Sequence, residues 1–312
     1  GRVFLHDVRT KLATAAVLVF LVYFGNPALA LVVGTTLSLT LNRSPIADGS
    51  RYGKYLLQTA IVLLGFKLNT TQLLDISGSY TLPIAAYVCL TACAGLVLGK
   101  LFRTENETNA LIASGTAICG GTTIATLSPI IGARAEQTGA ALCIVFLLNA
   151  VALLTFPTIG HWLDLSQEQF GVWAALAIHD TSSVVATAQL YGDRAAEIAT
   201  TVKIGRTLWL IPLIIAASLY LGTHQSKIRI PNFVFAFLAA SLLGSWLEIS
   251  KAVIVSVGQI SSALLVMALF FVGTEITRET LRSLRLTSVL QGIALWLLVI
   301  PAVLWGVLTW VN

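Results

Sequence analysis

Two stretches decide how this chain is read. They are Ala113-Ser-Gly-Thr-Ala-Ile-Cys-Gly-Gly-Thr-Thr-Ile-Ala-Thr-Leu-Ser-Pro129 and Ala174-Ala-Leu-Ala-Ile-His-Asp-Thr-Ser-Ser-Val-Val-Ala-Thr-Ala-Gln189. Each lies in apolar sequence and is interrupted by glycines, hydroxyls or charge. Hydrocarbon tolerates a broken helix only where protein or a water-filled cavity covers the loosened backbone. Paired interruptions of this kind are the sequence signature of a secondary-transporter binding site.

Working outward, 56% of the 312 residues are hydrophobic and 11% are charged, where soluble domains carry about a quarter charged residues. With a mean hydropathy of +0.86, the chain reads as an all-α polytopic membrane protein whose surroundings are a lipid bilayer. The formal charge of +5 does not point to nucleic acid, because no basic run or aromatic–basic alternation accompanies it. The cations sit in short loops, where they set membrane orientation. Cys89, Cys93, Cys119 and Cys143 lack metal-ligand spacing, and Cys89 and Cys93, four apart on one helix face, read as packing residues. There is no Walker A motif, no HExxH and no GxSxG. The contiguous Ser/His/Asp cluster at 179–183 is not a triad, which is assembled from separated positions. No enzyme, metal or cofactor is expected, apart from a coupling sodium ion or proton.

Arg2, Arg9 and Lys11 before an apolar run, with Ala28-Leu-Ala nearby, imitate a signal peptide. The apolar sequence continues through Leu41, too far for a cleavable segment. Two spans joined at Asn26-Pro27 fit better. At about 20 apolar residues per span, spans fall near 12–25, 27–41, 54–68, 80–101, 138–158, 200–222, 232–247, 254–274 and 287–310. With the two interrupted segments this gives 9–11 transmembrane helices in one membrane domain, 1–312. Leu64-Gly-Phe-Lys-Leu-Asn-Thr-Thr-Gln-Leu73 lines up with Val272-Gly-Thr-Glu-Ile-Thr-Arg-Glu-Thr-Leu281. The match suggests inverted repeat halves, 12–158 and 168–310.

The positive-inside rule places the N-terminus, Arg43, Arg51, Lys54, Lys100 and Arg103 in the cytoplasm. If Ala113–Pro129 dips in and returns, Arg134 stays inside and the Lys/Arg-free loop 159–170 goes outside. Full crossing reverses both. The rule thus favours two re-entrant segments from opposite faces; discontinuous crossing helices are the alternative, since one arginine decides.

Gly120-Gly121 permits backbone conformations denied to other residues. Thr122 and Thr123 are candidates to cap a helix restarting there, whose free N–H groups make an anion site. Thr116, Thr126 and Cys119 add polar atoms; close helix packing by small residues is the rival reading. An aspartate at membrane depth costs roughly 2.5–3.5 kcal/mol, so Asp180 calls for a partner or a function. Asp180 with Thr181, Ser182 and Ser183 reads as the cap of a second restarting helix. His179 shares a face with Ser182 and Ser183 if the segment is helical there, and titrates near neutrality as a carrier of a coupled proton. Lys203 and Arg206 recur at helical spacing with Thr200 and Thr207. They either snorkel to an interface, pair with Asp180, or supply fixed positive charge to an anion. Asn149, deep in its span, is expected to hydrogen-bond across helices. Lys67 and Glu275 are equivalent within the repeat.

Ala117-Ile-Cys-Gly-Gly-Thr-Thr-Ile-Ala with Ser128-Pro129, then His179-Asp-Thr-Ser-Ser-Val-Val185, then Val202-Lys203 and Arg206, resemble the YeiH-like family of bacterial inner-membrane proteins. That family carries the label of sulfate exporters. The resemblance covers nearly the whole chain in order and spacing, and Thr122-Thr123 depart from its Ser-Ala. It implies kinship with cation/proton antiporters and bile-acid-type transporters, whose broken helices meet at the membrane centre. The expectation is then alternating-access export of a small anion such as sulfate, sulfite or a sulfonate. Its site would comprise Thr116, Cys119, Gly120, Gly121, Thr122, Thr123, Asp180, Thr181, Ser182, Ser183, Lys203 and Arg206. His179 and Asp180 would link the cycle to a coupling ion, and the protein would be multi-pass in the inner membrane; the sequence leaves open whether it forms a homodimer. A sodium or proton antiporter working through Asp180 is the alternative.

Overall fold

The computed structural model describes residues 2–42, 45–46, 48–66, 70–221, 232–247 and 249–311. Among these every regular element is helical, as expected of an all-α membrane protein. Four helices are long and apolar enough to cross a membrane, with cores Leu74–Leu101, Glu136–Trp162, Ala252–Thr274 and Leu286–Trp310; Lys11–Phe24, Leu29–Leu41 and Phe235–Trp246 are shorter apolar helices. The span expected at 200–222 is split after Thr207, where Trp209 N bonds to the Arg206 carbonyl and closes a three-residue turn. Arg43, Ser44, Lys67, Asn69, Lys227, Arg229 and Pro231 lie outside the described residues, so the repeat match is only partly visible.

The chain divides into two compact units, each formed from two separate stretches of the sequence: Gly1–Thr70 with Phe233–Arg282, and Thr71–Asn232 with Ser283–Asn312. The first holds α1 (Arg2–Phe24), α2 (Pro27–Leu41), α3 (Gly49–Gly65), and later α12 (Asn232–Trp246), α13 (Lys251–Thr274) and α14 (Arg278–Arg282). α13 packs along α2 and α3. A Cβ at Gly34 would lie 2.2 Å from the Phe270 carbonyl oxygen, and one at Gly273 would lie 2.4 Å from that of Leu31. Only glycine lets these backbones approach so closely, the contact that drives helix association where water is absent.

The second unit holds α4 (Thr70–Leu101), α5 (Asn106–Ala117), α6 (Gly121–Ile130), α7 (Ala135–Trp162), α8 (Gln167–Ala177), α9 (Thr181–Tyr191), α10 (Asp193–Thr207), α11 (Leu210–Leu221) and α15 (Leu286–Trp310). Its 28-residue α7, about 42 Å long at 1.5 Å per residue, serves as a ruler for the rest. Glu105, just before α5, accepts from Arg134 Nη2 at 2.8 Å and Gln137 Nε2 at 2.7 Å, at the start of α7. The chain that leaves along α5 has therefore come back along α6. At the opposite end of α7, Gln167 Oε1 at the start of α8 accepts the backbone N–H groups of Arg194 and Ala195 at 3.0 and 3.2 Å, beyond the end of α9. The Tyr191 hydroxyl donates to the Leu165 carbonyl, and its ring stacks on His161 of α7 at 4.4 Å. So α8–α9 is a second hairpin, set against the first.

Rods α4 and α15 run the full height beside the hairpins. Tyr80 donates to Glu168 at 3.1 Å near one end of α4, while near the other Asn109 Nδ2 donates to the Leu96 carbonyl at 3.1 Å. Gln291 of α15 reaches Asn109 Oδ1 at 2.7 Å, and Gln169 reaches the Val311 carbonyl at 2.9 Å. The hairpin tips are thereby held at mid-height, between polar clamps at both ends. Phe156 stacks on Trp173 at 4.2 Å and 4°, so α7 and α8 meet through a flat aromatic contact.

Candidate functional site

Each hairpin tip is a break between two half-helices, at Ile118–Gly120 and at Ile178–Asp180. At the first, Gly120 has φ +58° and ψ −116°, a conformation that a side chain would strain. A Cβ there would lie 3.3 Å from Asp180 N and 3.3 Å from the His179 carbonyl carbon. The two tips therefore touch, and they touch through a glycine.

A half-helix that stops inside the protein leaves its last carbonyls without helical partners. Here nearly every one is accounted for by α10. Arg206 Nε donates to the Ala117 carbonyl at 2.9 Å, and Nη2 donates to that of Thr116. Its Nη1 faces the carbonyls of Ala175 and Leu176 at 2.9 Å and Ile178 at 3.0 Å. Lys203 Nζ donates to the carbonyls of Ile118 at 3.3 Å, Ile178 at 3.0 Å and His179. Both side chains are fully buried. One pair of cations thus binds the negative ends of two half-helices arriving from opposite directions. Tyr87 completes the cap: its hydroxyl donates to the Thr116 carbonyl at 3.2 Å, and its ring lies 4.6 Å from the Arg206 guanidinium carbon. Trp296 Nε1 takes the remaining Ala177 carbonyl at 2.9 Å.

The restarting half-helices α6 and α9 present their first N–H groups at the same place. Gly120, not Thr122 or Thr123, occupies the cap position of α6. The hydroxyl oxygen of Thr123 instead reaches back to accept the Cys119 N–H at 3.2 Å, with Cys119 Sγ at 3.1 Å. This differs from the expected capping because only glycine fits where the tips touch. Asp180 does start α9, its carbonyl receiving the Val184 N–H at 3.0 Å. His179 lies before that helix, so it does not share a helical face with Ser182 and Ser183. Instead its backbone N–H and its ring Nδ1 both lie 3.1 Å from Asn149 Oδ1 on α7, the cross-helix bond expected of Asn149.

Of the residues singled out by sequence, Thr116, Cys119, Gly120, Gly121, Thr123, His179, Asp180, Thr181, Ser183, Lys203 and Arg206 all belong to the two tips or to the end of α10 that closes them. Thr116, Cys119, Thr123, His179, Thr181 and Ser183 are buried, and Asp180 is half-buried. The side chains of Thr122, Thr126 and Ser182 lie outside the described residues. Sequence reading missed Tyr87 and Trp296, whose polar tips sit in otherwise apolar helices. It also used Arg134 only to orient the chain, missing its ion pair with Glu105, which Arg285 shares.

The chain matches the family model described as Conserved hypothetical protein 698 over residues 8–291. It is 41% identical over 272 residues to a UPF0324 membrane protein of Geobacter sulfurreducens, covering 87% of each chain. It is 38% identical over 294 residues to one of Shewanella oneidensis, covering 94% of this chain and 93% of that one. A third, from Bdellovibrio bacteriovorus, is 37% identical over 321 residues and 97% of each chain. No solved structure matches. The family model and these matches, each covering most of both chains, lead to one conclusion: the chain belongs to the UPF0324 membrane protein family.

Proposed function

We propose that this protein is a secondary transporter of a small anion, working by alternating access from the bacterial inner membrane. One observation carries the reading: two fully buried cations and one carboxylate, Lys203, Arg206 and Asp180, meet at the tips. Arg206, whose guanidinium does not deprotonate, holds a fixed positive charge there. Such a charge far from bulk water favours a bound anion. Because the donors of Lys203 and Arg206 already meet carbonyls, these residues act through their field. Groups free to touch the solute include the first N–H groups of α6 and α9 and the hydroxyls of Thr181 and Ser183.

The hairpins enter the membrane from opposite faces and turn back at its centre. Lys100, Arg103, Arg134 and Arg285 gather at the end where α7 begins, whereas Arg194 stands with Asp164, Glu168, Asp193 and Glu197 where it finishes. The positive-inside rule puts the arginine end in the cytoplasm. Sulfate, sulfite or a sulfonate suits the site by charge and size, with a proton or sodium ion coupled through His179 or Asp180.

Proteoliposomes loaded with radiolabelled sulfate and, separately, sulfite test the reading. The expected result is saturable uptake accelerated by anion on the opposite side. A sodium or proton gradient dissipated with no anion present would replace it with cation antiport through Asp180. Flux without saturation or counterflow would indicate a pore.

A further inference from the structure

The Asn149–His179 contact fixes more than a packing register. A backbone N–H can only donate, so the atom 3.1 Å from His179 N is the amide oxygen of Asn149, which can only accept. The same oxygen lies 3.1 Å from His179 Nδ1, so Nδ1 is the ring nitrogen that carries the proton. The neutral ring then presents Nε2 as a bare acceptor, while Asn149 presents Nδ2 as a donor. Both atoms are buried, and neither has a hydrogen-bond partner among the described residues. Buried polar atoms are almost always paired, so an open acceptor and an open donor on two side chains in contact point to a ligand.

The pair sits at the contact between the tips, since a Cβ on Gly120 would come within 3.3 Å of the His179 carbonyl carbon. The charged and titratable groups around it are Lys203 and Arg206 from α10, Asp180 on its own loop, and the Cys119 thiol of the facing tip. From α15 the Trp296 ring stands 6.4 Å away.

We propose that this amide–imidazole pair reads a proton on the solute, so that the preferred ligand is a singly charged oxyacid still carrying one O–H. The inference rests on the anion reading above and narrows its substrate class. The hydroxyl would donate to Nε2, and a neighbouring oxygen would accept from Asn149 Nδ2. A fully deprotonated oxyanion would meet Nε2 with lone pair against lone pair.

Three probes separate charge from the proton. Sulfate is doubly charged and has no proton near neutrality; methanesulfonate is singly charged and has none; hydrogen methylphosphonate has the charge and shape of methanesulfonate plus one O–H. Their affinities for the purified protein at pH 6 are measured by calorimetry. The expected result is hydrogen methylphosphonate binding about tenfold more tightly than methanesulfonate, one net hydrogen bond, with sulfate the weaker of the two sulfur anions. In His179→Phe that ratio should fall to near one. Wild-type protein that binds methanesulfonate or sulfate as tightly as the phosphonate overturns the proposal and leaves the anion reading standing, as does a ratio unchanged in His179→Phe. Binding of none of the three overturns both. The wild-type ratio decides the matter even if the variant does not fold.

Discussion

Replacing Arg206 by methionine removes the donors of one guanidinium while keeping much of its volume and its unbranched stem. Tyr87 still serves the Thr116 carbonyl and Lys203 still serves that of Ile178. The carbonyls of Ala117, Ala175 and Leu176 are left with no side-chain donor among the described residues. At roughly 1–3 kcal/mol for each buried group left unpaired, the loss is several kcal/mol, a large share of the 5–15 kcal/mol that holds a typical domain together. Arg206→Met should therefore lower the thermal midpoint of detergent-purified protein steeply, or prevent its accumulation in the membrane. Arg206→Lys, which restores up to three donors without their planar fork, should fall between it and the wild type. Thermal unfolding followed by tryptophan fluorescence ranks the three. If Arg206→Met melts within a degree or two of the wild type, the carbonyls are satisfied some other way, and the shared cap is not what holds the tips.

Gly120→Ala should cost about 1–3 kcal/mol from the backbone conformation alone and should push the tips apart, so its thermal midpoint falls and anion binding weakens with it. Trp296→Phe keeps an aromatic ring but a smaller one and deletes the donor to Ala177, predicting a loss of at least about 1–2 kcal/mol in denaturant melts. Glu105 offers a pH test. Its carboxyl is held below the usual carboxylate value by the hydrogen bond from Gln137 first, and then by the charges of Arg285 and Arg134. A depressed carboxylate contributes stability that is complete above its unfolded value, about 4.3, and is lost as pH falls through the lower folded value. Glu105→Gln should accordingly lower stability at pH 7 and flatten the acid limb, so that the two proteins converge as pH falls below about 4.3; a difference that stays the same from pH 7 into acid would refute it. Asn149→Leu leaves the His179 N–H and Nδ1 without an acceptor and should cost about 1–3 kcal/mol, read as a lowered midpoint.

The breaks were legible because glycine pairs and an aspartate in apolar sequence have few structural explanations. Their positions followed from residues 118–120 and 178–180 almost directly, and the single charge of Arg134 suggested that the first segment turns back. What could not be read was pairing at long range. That Lys203 and Arg206 would meet carbonyls 85 and 89 residues earlier depends on how α10 packs, which local periodicity does not encode. The same holds for Tyr87, whose hydroxyl finds Thr116 only because α4 passes the tip of the first hairpin. The restart of α6 was misjudged for a different reason. Threonine and glycine cap about equally well by propensity, and the positive φ that the chain takes where the tips touch favours glycine at 120.

The shared cap imposes an order on biosynthesis. The carbonyl of Ala117 is made 89 residues before Arg206, its donor, a delay of roughly 4–18 s at translation rates of 5–20 residues per second. Through that interval the first hairpin carries exposed acceptors that lipid cannot solvate. It must wait in the insertion machinery, or in its watery vestibule, until α10 emerges and both hairpins are sealed by the same two side chains.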